Sequence, residues 1–330
     1  MRRTILTPAE KKAVLGSLTA WDPAAIRRTD LEALAGRIGV SARDAYVTLL
    51  HIDTLHALGP EAPLVWKGGT AIQSLLAAGV QRVSTDLDFN STTGNVEILR
   101  ETIADVNDRL RAGGNIVEVK GVPFGLFYEA DHRPDHQTLE YRRLLPTPFD
   151  EQVDLPRHAL PGLDETVRVQ GRLSRVQIAY GHHEMAALHP TRAEVRFFTQ
   201  PSFQPRRPVT VTRGSVHDLA ADKILATTRH DGFGRERFKD IYDLVALRHL
   251  GTADLEVVRT KLARIRGDGR VPLYVDGTLE TLRILGLEAA AAQGFKGTVC
   301  SDGKAWVERW GEELEATIAW LAPMGSGIGR

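Results

Sequence analysis

At 330 residues, with 42% hydrophobic and 25% charged side chains, the chain has the makeup of a globular protein with one large domain or a few smaller ones. Lys+Arg and Asp+Glu each number 42, so the formal net charge is zero and no global field points to nucleic acid; any such contact has to be a local patch. No apolar run nears the ~20 residues needed to cross a bilayer, no hydrophobic leader follows Met1-Arg2-Arg3, and the single Cys300 excludes an internal disulfide framework, so a cytoplasmic location is expected.

Residues 8–58 carry apolar positions at helical spacing and predict a helical N-terminal segment, with a tight turn at Gly39-Val40-Ser41 ahead of a helix from Ala42 to Leu58. Such a pair either caps the next domain or forms a DNA-reading helix-turn-helix. The start of the second helix, Ala42-Arg43-Asp44-Ala45-Tyr46, is a poor recognition surface, which favours the cap. A mixed region follows: a strand ending near Trp66, a helix from Thr70 to Ala78, a strand from Thr85 to Phe89 and an amphipathic helix from Val96 to Arg111. Further strands are predicted at 116–120, 125–130, 138–145, 172–180, 195–198 and 209–212, with Pro-containing loops at 146–163 and 201–208. From Ser215 onward the pattern is helical, over 216–228, 236–249, 253–265, 278–292 and 302–321. The fold class is therefore α+β, with a mixed, mostly antiparallel sheet. Three parts are expected: a helical segment over 1–60, a core over 61–213 and a helical domain over 214–330.

Chemistry concentrates in VWKGGTAIQSLLAAGVQRVSTDLDF, residues 65–89. Gly68 and Gly69 leave a strand and enter a helix at Thr70, which would aim unpaired backbone N–H groups at a phosphate. Two glycines between strand and helix are by themselves weak evidence, because such turns are commonly structural. The carboxylates sharpen the reading. In an extended chain Ser84, Asp86 and Asp88 share one face, with Thr85, Leu87 and Phe89 on the other, and acids two apart can hold Mg²⁺ together with triphosphate oxygens.

These residues carry a resemblance. The pattern from Lys67 to Ala71 and from Arg82 to Phe89, K-G-G-T-A followed by R-x-S-x-D-L-D-F, is similar to that of the AbiEii/MenT nucleotidyltransferase toxins, within the polymerase-β-like superfamily. A second block agrees in order and spacing: His217 to Ala226 around Lys223 resembles the family's lysine helix, and RERFKDIYDL, Arg235 to Leu244, resembles its R-x-x-K-D-x-Y-D-L helix. The resemblance covers roughly residues 30–250. It implies a polymerase-β-like core and an enzyme that uses Mg²⁺, with Mn²⁺ as the alternative, to move NMP from an NTP to an acceptor. The acceptor it suggests is RNA, plausibly the tRNA 3′ end, with translation halted as the result and a cognate antitoxin as partner. Asp86 and Asp88 would hold metal; Lys67, Gly68, Gly69, Thr70, Ser84 and Lys239 would bind nucleotide; Lys223 and Asp240 would complete the catalytic set. Transfer to a protein, or a degenerate module that only binds nucleotide or RNA, are the alternatives.

Lysine usage supports part of this independently. Only nine of the 42 basic residues are lysines, and none lies between Lys120 and Lys223, yet Lys67, Lys223 and Lys239 all fall within the motifs. A compact ammonium suits a phosphate-directed point charge. Alternatively, Lys239 and Asp243 form a helical i,i+4 pair. One departure stands out: where the superfamily adds a third carboxylate, the strand Arg175 to Tyr180 offers Gln177, which cannot act as a general base. Either Asp240 is the substitute acid, with Asp154 a poor one, or the substrate hydroxyl needs no strong base. Arg142, Arg143, Arg206 and Arg207 are candidate contacts to an acceptor backbone. His182-His183-Glu184 with His189 fits no standard zinc spacing, and Cys300 is remote from any histidine motif.

Overall fold

A computed structural model describes residues 1–22, 25–160, 163, 165–181, 189–228, 236–266, 271–286 and 296–325. The His182-His183-Glu184 cluster, Arg235 and the glycine-rich tail after Gly325 lie outside these residues. In chain order the first elements are β1 (Arg2–Thr4), α1 (Pro8–Leu15), α2 (Arg28–Ile38) and α3 (Ala42–Leu58). Ser41 caps α3 by accepting from the Asp44 amide, and Gly39 ends α2 in the left-handed region at φ 76°.

Helix α3 is buried on nearly every side, from Ala45 through Leu55, as expected of a helix placed centrally rather than on the surface. Its buried polar side chains are each matched. Asp53 accepts from the backbone N–H groups of Thr19 and Ala20, both at 2.6 Å, and pairs with Arg143 Nη1 at 2.7 Å. Thr54 donates to the Ser174 hydroxyl at 3.1 Å, and His51 Nε2 lies 3.2 Å from the Thr85 carbonyl. Burial lowers the His51 pKa to about 4, so the ring is neutral and its N–H can donate to that carbonyl. So enclosed a helix cannot enter a DNA groove, which leaves the packing cap.

Next come β2 (Leu64–Lys67), α4 (Gly68–Gln73), β3 (Asp86–Ser91), α5 (Val96–Ala112), β4 (Val117–Val119), β5 (Val122–Phe124), β6 (Phe127–Arg133) and β7 (Thr138–Leu145). They are followed by β8 (Gln152–Leu155), β9 (Val167–Gln170), β10 (Arg172–Ala179), β11 (Thr191–Glu194) and β12 (Thr210–Arg213). The central sheet has seven strands in the order β11-β12-β2-β3-β10-β7-β6. Its ladders are antiparallel except at β12-β2 and β10-β3, so the architecture is α+β with a mostly antiparallel sheet.

The C-terminal part is helical: α6 (Val216–Thr227), α7 (Glu236–Leu250), α8 (Leu255–Arg266), α9 (Val271–Gly286), α10 (Lys304–Glu308) and α11 (Trp310–Gly325). One apolar cluster takes in Leu31 and Leu49 from the N-terminal helices, Trp66 and Val176 from the sheet, and Leu247 and Leu314 from the C-terminal helices. A second, smaller cluster centres on Phe124, Tyr128, Leu144 and Val169.

Several boundaries differ from the sequence reading. The expected loop at 146–163 contains β8, which with β9 and β1 forms a separate three-stranded sheet. Its strands are three or four residues long, too short for alternation to register. The strand expected at 195–198 lies at β11 instead, although the Val195 amide still donates to the Val209 carbonyl at 2.8 Å. Helix α9 begins at Val271 rather than Thr278, and the single helix expected over 302–321 is broken between α10 and α11 at Arg309.

The Asp53–Arg143 pair has both side chains fully buried, and removing one partner leaves an uncompensated charge in the core. Asp53→Ala is expected to lower the unfolding free energy in urea by about 3–5 kcal/mol. Asp154→Ala, which breaks the exposed Arg168 pair, should leave the transition nearly where it was.

Candidate active site

Strand β3 places Asp86 and Asp88 on its open face and buries Leu87 and Phe89 on the other. The strand begins only at Asp86. Ser84 and Thr85 precede it, and Thr85 is exposed rather than packed as the alternation suggested. Ser84 still faces the glycine turn, its Oγ standing 3.2 Å from where a β-carbon on Gly69 would lie.

The turn itself is tighter than expected, because α4 already starts at Gly68 and runs only to Gln73. Gly68 has φ +77°, and a β-carbon there would collide with Asp88 Oδ2. Glycine is therefore required twice over, once for its conformation and once for the close approach to the carboxylate. A β-carbon on Gly69 would collide with the Arg82 guanidinium. The buried Thr70 hydroxyl is committed internally: it accepts from Trp66 Nε1 and donates to the Asp86 carbonyl, both at 3.2 Å.

Strand register extends the site in two rows, since residues opposite one another share a sheet face. One row runs Lys67, Asp88, Gln177, Glu140 and Asp131 across β2, β3, β10, β7 and β6. The other runs Asp86, Arg175, Arg142 and Tyr128. With its amide turned as its neighbours require, Gln177 donates to Asp88 Oδ1 at 3.3 Å and accepts from Arg175 Nη2 at 2.7 Å. One strand further on, the residue opposite Gln177 is a carboxylate, Glu140. There it accepts from Arg142 Nε at 2.8 Å and from Arg175 Nη2 at 2.7 Å. Burial raises the Glu140 pKa, but the two arginines outweigh it and hold the carboxylate below its ordinary range.

Behind the carboxylates lies a buried ionic group on α6 and α7. Lys223 Nζ lies 2.6 Å from Asp240 Oδ1 and 2.8 Å from Asp243 Oδ2. Asp243 is fully buried and also receives the Arg82 fork at 2.8 and 2.6 Å, and Gln73 Nε2 at 2.9 Å. Burial alone would push the Lys223 pKa down, yet Asp243 and Asp240 hold it above the lysine norm, so the ammonium stays charged. Burial raises the Asp88 pKa; Lys67, Lys223 and Arg175 pull it down, while Asp86 pushes it further up. Lys239 has no hydrogen bond or ion pair among the described residues, and Asp243 spends its oxygens on Arg82, Lys223 and Gln73 rather than on an i,i+4 pair.

Other candidates separate clearly. Arg143 is fully buried against Asp53 and cannot meet an acceptor, whereas Arg142 lies on the open face, and Arg206 and Arg207 are exposed. Asp154 is paired with Arg168 on another sheet. Cys300 is buried, which pushes its thiol up to about 12 and removes it as a nucleophile. Among the described residues no cluster of three or more His, Cys, Asp and Glu side chains could hold a metal, and no helix is long and apolar enough to cross a membrane.

The family model described as "Nucleotidyl transferase AbiEii toxin, Type IV TA system" matches residues 56–298, which includes the carboxylate strand, Lys223 and α7. The chain belongs to this family. It is accordingly a nucleotidyltransferase of the toxin class, and membership carries with it a nucleotide substrate and an antitoxin partner. Among solved structures it is similar to a candidate nucleotidyltransferase from H. pylori, at 15% identity and TM-score 0.36, covering 83% of this chain and 96% of that one. Protein JHP933 from Helicobacter pylori is similar at the same identity and TM-score, over 86% of this chain and 95% of that one. No curated protein matches the chain.

Because burial holds the Asp88 pKa above its unfolded value, its charge costs the metal-free fold stability at neutral pH, and that cost fades as pH falls and the group takes its proton. Asp88→Asn, measured in chelator, should therefore raise the thermal midpoint at neutral pH. The gain should shrink as pH falls through the Asp88 pKa, and an unchanged or lower midpoint at neutral pH would contradict the assignment.

Proposed function

We propose that this family member is a Mg²⁺-dependent enzyme that transfers NMP from an NTP to a hydroxyl on RNA, releasing pyrophosphate. The observation that carries the reading is the pairing of Asp86 and Asp88 on one open strand face with Gly68 backed directly onto Asp88. The donor set fits a divalent cation: among the described residues Asp86 has only the Thr85 hydroxyl at 3.4 Å and Arg175 at 3.9 Å, and the charge of Asp88, disfavoured by burial, would be stabilised by a bound cation. Two carboxylates leave coordination positions for triphosphate oxygens and water, the habit of Mg²⁺ in nucleotide sites. When bound, the metal would neutralise the triphosphate and polarise its α-phosphorus.

The chain's own residues supply the rest. Gly68 and Gly69, with Ser84 beside them and Lys67 opposite Asp88, border the space for the triphosphate. The acceptor oxygen attacks the α-phosphorus, the bond to the bridging oxygen of the β-phosphate breaks, pyrophosphate leaves and the hydroxyl proton passes to solvent. A neutral Gln177 beside Asp88 is compatible with a step that needs no strong base there. Lys223, fixed between Asp240 and Asp243, lends charge to Asp88. Arg175 and Arg142 continue the Asp86 row along the open face, and a polyanionic acceptor lying along them would present its terminal hydroxyl at the carboxylates. That row favours RNA over a protein acceptor.

The decisive assay incubates the protein with Mg²⁺, each α-labelled NTP in turn, total tRNA and a candidate antitoxin. Label is expected on RNA; label on protein alone would replace the acceptor, and no label on any species would remove the enzymatic reading. Asp86→Ala should cut transfer by on the order of 10³-fold without unfolding the chain.

A further inference from the structure

Glu140 lies one strand beyond the expected ligand position, and its two carboxylate oxygens are spent on arginines. Its side chain is 5% exposed; Oε1 accepts from Arg142 Nε at 2.8 Å, and Oε2 from Arg175 Nε at 2.9 Å and Nη2 at 2.7 Å. The remaining Arg175 nitrogen, Nη1, stands 3.9 Å from Asp86 Oδ1, outside hydrogen-bonding range. Register sets Arg175 directly beside Asp86, and the Gln177 side-chain amide oxygen also accepts from the guanidinium.

The arrangement holds a permanent cation next to the oxygens assigned to the metal, yet not on them. A guanidinium fork binds a carboxylate readily with two parallel hydrogen bonds. Were Glu140 neutral, the adjacent ionised acceptor for Arg175 would be Asp86, whose one side-chain hydrogen bond among the described residues comes from the Thr85 hydroxyl at 3.4 Å. Closure of Arg175 onto Asp86 would occupy the metal's ligand and place a positive charge against it. Gln177 cannot replace Glu140, because an uncharged amide does not hold a guanidinium in competition with a carboxylate.

We propose that Glu140 is a positioning residue that holds Arg175 off Asp86 and so keeps the carboxylate pair open to a divalent cation. This rests on the reading of Asp86 and Asp88 as metal ligands. The test is Mn²⁺ binding to the full chain without nucleotide, followed by the loss of the free-ion paramagnetic resonance signal, in wild type, E140Q, R175Q, E140Q/R175Q and D86N. Glu140→Gln is expected to weaken binding about tenfold, Arg175→Gln to leave it as tight as wild type or tighter, and the double variant to recover most of the loss. Equal affinity in E140Q and wild type, or a double variant as weak as E140Q, overturns the proposal while leaving the metal reading intact. Wild-type binding that is absent, or unaffected by Asp86→Asn, overturns the metal reading and this inference with it. If E140Q does not fold, Glu140→Asp, which shortens the clamp, should weaken binding in the same direction, and equal affinity again overturns the proposal.

Discussion

Much of this molecule hangs on one buried carboxylate. Asp243 has no exposed surface and gathers the Arg82 guanidinium, the Lys223 ammonium and the Gln73 amide around it. Those partners come from the segment that leads into β3, from α6 and from α4, so a single side chain on α7 ties together the elements that flank the reacting face. Taking two cations and an anion out of water is costly, and it is sustained only where every oxygen and nitrogen finds a geometric partner. Arg82 shows how far this goes: besides the fork it donates to the Val83 carbonyl, and its amide donates to the Gln73 side chain. The approach of the chain to Asp86 is thereby fixed before any ligand is present.

The motif residues were legible because their chemistry is local. Alternation within five residues is enough to put Asp86 and Asp88 on one face, and the glycine turn and the two C-terminal helices were visible in spacing alone. The cross-strand partners were not legible. That Arg175 sits beside Asp86, and Glu140 beside Gln177, depends on register between strands up to about 90 residues apart in sequence, which periodicity does not encode. The same limit explains Asp243. Read along its own helix it pairs naturally with Lys239, and only the packing of α6 and α4 against α7 shows that burial assigns it to stronger partners. Arg143 looked like its neighbour Arg142, but one position along a strand is the opposite face, which places one in the core and the other in solvent reach.

A net charge of zero conceals considerable local order. On the open face acids and bases are interspersed between the two rows, so that each carboxylate has an arginine or lysine within the same or the adjoining row. Such a lattice is nearly neutral at a distance and strongly polar at close range. It gives little long-range steering to a polyanion, so productive encounters with one would depend on short-range fit more than on attraction from afar.

The family match begins at residue 56, inside α3, yet the helix does much of its work before that point. His51 faces the carbonyl just ahead of Asp86, and Asp53 anchors the strand that carries Glu140 through Arg143. The matched segment is therefore packed against residues that precede it: the stretch by which the protein is recognised is shorter than the stretch that must be folded together for its reacting face to exist.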